Sequence, residues 1–336
     1  MIANWIMGAI VGTFLIGITS PWTVRSYVPL NADAVRGVWT LPPNQTYRWR
    51  SEGYANTSIG PLGMPGKTEI KPRVSTTRRV ALWGDSQAEG VCVPDHQKIF
   101  AQAESLTRNI EVFPLARSGE DIADWLTQIP AIERELEIDA HVFLIVDLAD
   151  LFTAGEAPLP PPSQADVSQA NSAIAAKLPA FFIQAARHLL TDSDGSTRRQ
   201  LRFSTGPVTT SADSSPAKRT AEISWLEALR PLQTISERPR FILYAPKVPQ
   251  IVNGKKVMDD PTDADFLSMK TVAEKLGITV LDARPELLQS ATEGAWPHGF
   301  HNGRIGSGHL NEHGNRIVAW QIAKAILPQQ ASELGN

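Results

Sequence analysis

Five short apolar runs, Val80 to Trp83, Ile110 to Leu115, Ala140 to Leu148, Phe241 to Ala245 and Ile278 to Leu281, alternate along the chain with segments of helical apolar spacing. Continuously apolar runs of this length read as strands buried on both faces, and a parallel sheet covered by helices on both sides provides that burial. The helices are legible in the same way. Ile99, Phe100, Ala103 and Leu106 share one stripe, and Ile122, Trp125, Leu126, Ile129 and Ile132 share another within Asp121 to Leu136. Further helices are expected at Trp225 to Ile235, Ala264 to Leu276 and Asn311 to Ile326. The fold class is therefore α/β: a three-layer α/β/α sandwich around a five-stranded, mainly parallel sheet, placed in residues 76–330.

Before this domain the chain changes character twice. From Ile2 to Ile18 there is no charged side chain, and Trp5 and Trp22 bracket the run. A helix of about 20 residues rises about 30 Å, the thickness of a bilayer core, and the tryptophans suit its two interfaces. Residues 1–21 read as an uncleaved membrane anchor, since no basic segment precedes the apolar run and no small-residue cleavage site follows it. A buried core helix is the competing reading. Arg25 and Arg36 follow the anchor, which by charge bias favours the cytoplasm, but long domains override that bias; the domain is expected outside it, in the periplasm. Residues 22–75, punctuated by Pro42-Pro43, Gly60-Pro61 and Pro65-Gly66, read as an irregular lead-in. A Pro-, Ser- and Thr-rich insertion at 158–224 carries an apolar stripe from Val167 to Leu189, read as core packing or a lid, and a polar stretch from Ser193 to Lys218 read as a mobile loop.

A net charge of -3 supplies no basic field for nucleic acid, so none is expected as partner. The single cysteine, Cys92, precludes an internal disulfide.

Ligands of such sheets gather beyond the carboxyl ends of the strands, and the chemically unusual residues fall there. Gly84-Asp85-Ser86 follows the first strand, Ser118-Gly119 the second, Asp147 and Asp150 the third, Lys247 and Gln250 the fourth, and His309 the fifth. A serine hydroxyl becomes a nucleophile only beside a base, and His309 is the candidate base for Ser86. Asp85 is expected to bond loop amides rather than move protons. His298, His301, His309 and His313 crowd one stretch, and His309 and His313 have an i,i+4 zinc-like spacing. Leu310 stands where a His-Glu-x-x-His motif has its acid, so no metal or other cofactor is expected. Trp296 and Phe300 are candidates for an aromatic wall against a sugar ring or acyl chain, with ordinary packing as the alternative.

In these residues the chain resembles the SGNH (GDSL-type) hydrolase superfamily, whose flavodoxin-like fold matches the alternation above. Gly84-Asp85-Ser86 is similar to its nucleophile block, Gly119 to its oxyanion glycine, and His309-Leu310-Asn311 with Gly314 to its base block. Asn56 to Gly63 resembles the Asn-x-x-Gly lead-in of bacterial members linked to envelope polysaccharides. The resemblance implies that Ser86 attacks an ester carbonyl, that His309 relays its proton, and that the N–H groups of Ser86 and Gly119 hold the oxyanion. Two positions depart from the pattern: Ala149-Asp150 stands where the family has Asn-Asp, and Gly306 where it has the Asp of Asp-x-x-His. A Ser-His dyad is one consequence. The other is a triad whose third member is a backbone carbonyl, Ser307, or a carboxylate from elsewhere, with Asp147 and Asp150 as candidates.

The resemblance further implies an esterase or O-acyltransferase acting on small acyl groups, acetyl above all, of a glycan. The partners expected are an acylated carbohydrate or other small ester, the membrane through residues 2–18, and a polysaccharide-modifying membrane complex. The alternative is an inactive glycan-binding or assembly protein of a polysaccharide export system. A lipase would need an apolar groove, for which Val167 to Leu189 is the sole candidate.

Overall fold

The computed structural model describes residues 2–23, 26, 30–152, 224–249, 251–252, 255–256 and 263–327. Nearly all of the 158–224 insertion, with its Val167 to Leu189 stripe and its Ser193 to Lys218 stretch, lies outside the described residues, as does Gln250.

Helix α1 (Ile2–Thr23) opens the chain. Two short antiparallel hairpins follow, β1 (Asn31–Asp33) with β2 (Val38–Thr40) and β3 (Thr46–Arg48) with β4 (Asn56–Ser58). The lead-in expected to be irregular therefore contains strands of its own, each too short to show period-two patterning. The sandwich begins with β5 (Arg78–Trp83), the one-turn helix α2 (Ser86–Glu89), α3 (Ile99–Leu106), β6 (Ile110–Pro114), α4 (Ile122–Leu136) and β7 (Ala140–Ile145). It resumes with α5 (Trp225–Thr234), β8 (Arg240–Tyr244) and the short hairpin β9 (Ile251–Val252) and β10 (Lys255–Lys256). Helix α6 (Asp263–Lys275), β11 (Thr279–Asp282), α7 (Arg284–Thr292) and α8 (Glu312–Ile326) close it.

Strands β11-β8-β7-β5-β6 form a five-stranded sheet, every neighbouring pair parallel. Alternate strand residues feed opposite cores. Ala81, Trp83, Phe143, Ile242 and Tyr244 meet Trp125 and Ile129 of α4, Trp225 and Leu229 of α5 and Phe266 of α6. Val80, Leu82, Val142, Leu144 and Leu243 meet Ile99 of α3, Leu287 of α7 and Val318 and Ile322 of α8. The three-layer α/β sandwich expected from the alternation is the architecture observed. Each large apolar side chain so buried contributes about 1.5–3 kcal/mol relative to exposure.

This strand order sets the position of the site. The chain runs outward from β5 to β6, then crosses back to place β7 on the other side of β5. Loops at the carboxyl ends of β5 and β7 diverge there, leaving a crevice at the switch point. Ser86 is the first residue of the helix that leaves β5.

Candidate active site

Gly84 lets β5 turn into α2. It has φ +153°, and a Cβ there would lie 2.7 Å from the Ala88 side chain and 3.1 Å from the Leu144 carbonyl oxygen. Asp85 caps α2, its side chain accepting from the Gln87 amide at 2.8 Å, as expected for a residue that bonds loop amides. Burial raises the Asp85 pKa, while the Gln87 amide, His309 and the Ser86 hydroxyl oppose that rise.

The second strand's loop is held against this turn. The Arg117 amide donates to the Gly84 carbonyl at 3.2 Å, and the Ser118 amide donates to Glu89 Oε2 at 3.3 Å. Gly119 follows with φ +83°, a conformation that favours glycine, and open space where a Cβ would stand. Glu89 is fully enclosed, and desolvation lifts its pKa to about 7. Neighbouring Glu120, facing Arg36 and Arg117, is lifted to about 7 by the same cause.

His309 arrives on the loop before α8. That loop doubles back on itself: the Gly299 amide donates to the His309 carbonyl at 2.9 Å, and Asn311 Nδ2 donates to the carbonyls of Trp296 and Gly299 at 2.7 and 2.9 Å. The Leu310 amide donates to Gln87 Oε1 at 2.8 Å. The residue after the serine is thereby bonded to the residue after the histidine. No Ser86–His309 hydrogen bond is formed among the described residues; such bonds often tighten only when substrate is bound.

The partner of the imidazole comes from the lead-in. His309 Nδ1 is hydrogen-bonded to Glu52 Oε1, an acid 257 residues earlier in the chain and in the turn between β3 and β4. Asp147 instead caps a short 3-10 turn, accepting from the Ala149 amide at 2.9 Å. Asp150 stands among acids, and desolvation followed by the charges of Asp85 and Asp147 lifts its pKa to about 7. The carboxylate on the ring is Glu52, which corrects the expectation of Asp147 or Asp150. The end of β7 faces Asp85, and the His309 ring turns toward the hairpin instead.

Two glycines, Gly308 and Gly53, make room for the Glu52 turn. At Gly308 (φ +93°) a Cβ would lie 2.1 Å from Glu52 Oε2. At Gly53 (φ +78°) a Cβ would lie 2.0 Å from the Cys92 carbonyl oxygen and 2.9 Å from the Phe300 ring. Asn302 then clamps the turn, accepting from the Gly53 amide at 2.9 Å and donating to the Ser51 carbonyl at 3.0 Å. Gly306, where the family pattern places an acid, has φ +77° and lies under the Trp296 ring, which a Cβ would meet at 3.1 Å. An Asp at 306 would be strained at that φ and would require the indole to shift by a few tenths of an ångström.

The remaining candidates fall into place around this pair. Trp296 and Phe300 are half-buried and packed against Gly306 and Gly53. Trp49, which sequence reasoning missed, presents its half-buried ring edgewise to His309, centroids 6.4 Å apart. His298 is fully buried, and desolvation, then the charge of Lys247, lowers its pKa to about 4. Helix α8 starts at Glu312, so His309 precedes it and shares no helical face with His313, whose Nδ1 lies 3.1 Å from Arg316. Lys247 is exposed. The only sequence signal for Glu52 was its place among glycines, Glu52-Gly53 and Gly306-Ser307-Gly308, a pattern that marks close approach once the fold is known.

Compared by sequence, the chain matches no protein-family model and no curated protein. Among solved structures it is similar to a member of the lipolytic protein G-D-S-L family from Veillonella parvula, with 14% identity, 74% of this chain and 97% of the other covered, and a TM-score of 0.36. It is also similar to an α/β hydrolase enzyme from the metagenome of Lake Arreo, Spain, with 12% identity, coverage of 76% and 98%, and a TM-score of 0.37. Likeness this distant assigns no chemistry, which must come from the side chains.

Proposed function

We propose that the protein is a serine esterase or O-acyltransferase of small acyl esters, with Ser86 as nucleophile, His309 as base and Glu52 as the acid that orients it. The contact of Glu52 with His309 Nδ1 carries this reading. A carboxylate at Nδ1 holds the Nδ1–H tautomer and leaves the Nε2 lone pair to take a proton. In the reaction Ser86 Oγ bonds to the ester carbonyl carbon as its proton passes to His309 Nε2. The tetrahedral oxyanion is held by the N–H groups of Ser86 and Gly119. The carbon–oxygen bond to the leaving alcohol then breaks and the alcohol takes the proton from His309, leaving an acyl-Ser86. Water resolves this ester in hydrolysis, a sugar hydroxyl in transfer.

An acetylated glycan is the proposed substrate class. Trp49 supports it, because its half-buried indole stands beside the base, an aromatic neighbour suited to a sugar ring. Ala149 supplies no side-chain donor to the oxyanion, a loss of about 2.7–4 kcal/mol relative to a site with that donor.

The test is acetate release from a chromogenic acetyl ester together with phosphonate labelling. Native protein is expected to turn over and to be labelled at Ser86, and Ser86→Ala to do neither. Unchanged turnover in Ser86→Ala overturns the reading. Glycan retention with no turnover and no labelling selects the non-catalytic binder.

A further inference from the structure

Glu52 lies in the segment that also touches the apolar helix. The Trp22 carbonyl, at the end of α1, accepts from Arg50 Nε at 3.1 Å and from the Tyr54 hydroxyl. The Arg50 guanidinium sits 4.6 Å over the Tyr54 ring. Arg50 and Tyr54 flank Glu52 by two residues on either side, so their Cα atoms lie within about 8 Å of its own. Asn302 joins that turn to the His309 loop. One short segment, residues 50–54, therefore bonds the last turn of α1 through Arg50 and Tyr54 and the imidazole through Glu52.

Helix α1 spans 22 residues, about 33 Å of rise, against about 30 Å for a bilayer core. Its Ile2–Thr19 window has a mean hydropathy of 1.8 and is 0% buried, so nothing in the described protein covers it. Set in a bilayer, the helix puts Trp22 at the interface, and Glu52 follows at headgroup depth. Trp22 and Tyr54, in contact through the Trp22 carbonyl, are 66% and 50% exposed, aromatic groups suited to the lipid–water boundary.

Resting on the esterase reading above, we infer that the active site opens at the membrane surface and takes an ester carried by an amphiphile held in the bilayer. Substrate then needs only lateral diffusion to reach Ser86, and the helix fixes the height at which its ester is met.

The experiment uses the full chain in phosphatidylcholine vesicles, with two acetyl esters as probes. Hexadecyl acetate resides in the bilayer and butyl acetate in water. Release of acetate from hexadecyl acetate is expected to be about tenfold or more faster at equal total ester, the gain of an effective concentration at the surface. A flexible insertion of about ten Gly and Ser residues between Thr23 and Ser26 keeps the anchor but lets the site leave the surface. It is expected to retain butyl acetate turnover and lose the preference.

Placement is read separately through a fluorophore on His301→Cys. Buried Cys92, its thiol pushed up to about 12, does not compete for the label. Headgroup nitroxide lipid is expected to quench the label in the native linkage and not after the insertion. Butyl acetate turnover without a bilayer preference, a preference that survives the insertion, or an unquenched label each overturns this inference alone. Absence of turnover on both esters overturns the esterase reading and this inference with it.

Discussion

His141 and His309 each face a glutamate, Glu133 in one case and Glu52 in the other, and the two pairs have opposite uses. His141 lies on β7 with no exposure. Its Nδ1 accepts from the Trp83 indole at 3.0 Å and its Nε2 meets Glu133 at 2.8 Å. Both nitrogens are occupied, the ring is the neutral Nε2–H tautomer, and the pair stitches β5 and β7 to α4. His309 keeps a side chain 23% exposed and gives only Nδ1 to its glutamate. Its other nitrogen has no hydrogen-bond partner among the described residues, which leaves it free for the role proposed above. A histidine–carboxylate contact is thus informative only once the second nitrogen is traced.

Removing the imidazole tests the distinction most severely. His309→Ala is expected to lower kcat by about 10⁴-fold or more, the scale seen when a base is removed from a serine hydrolase; His141→Asn with a similar loss would erase the contrast. Glu52→Gln keeps shape but withdraws the charge and lets the ring rotate, with an expected fall of about 10³–10⁴-fold in kcat and little change in KM. Gly308→Ala places a methyl on the Glu52 carboxylate, and a displacement of about 1 Å is expected to lower kcat about 10²-fold. Full activity in that variant would show that Glu52 need not approach so closely.

The structural pair answers to stability instead. Glu133→Gln is expected to cost about 1 kcal/mol, a melting temperature lower by about 2–4 °C, with kcat within about threefold of native. The hydrogen bond from His141 holds the Glu133 pKa below its ordinary value. Its contribution is therefore present above the ordinary carboxylate range and lost as pH falls through the folded-state value. Glu89 and Glu120 act with the opposite sign. Raised to about 7, they contribute stability that is present in acid and lost as pH rises through about 7. Melting temperatures of native protein and Glu89→Gln measured from pH 4 to 8 are expected to show a shallower decline above pH 5 in the variant, the smallest of these effects; parallel curves would contradict it.

How much of this was legible differs between fold and site. The strands were visible because a sheet buried on both faces forces unbroken apolar runs, as in Val80 to Trp83 and Ala140 to Ile145. Helix α7 escaped because Arg284 to Thr292 mixes charged and polar residues along a short segment and buries only Leu287 and Ala291. The β3–β4 hairpin escaped because three-residue strands carry no period. Ser86, Gly119 and His309 could be singled out because each lies in a connection that follows a strand, within a recognisable local pattern. Glu52 was not, because an acid in a glycine-rich turn looks like any solvated loop residue.

The amino-acid sequence by itself determined the layered α/β sandwich, the turn after the first sheet strand that carries Ser86, and the apolar character of the first helix. These follow from periodicity and local turn chemistry, which act over a few residues. Only the tertiary structure decided which carboxylate meets His309. That choice depends on two loops approaching within a hydrogen bond across more than half of the chain, with glycines at 53 and 308 leaving the space, and no local pattern encodes such a distance.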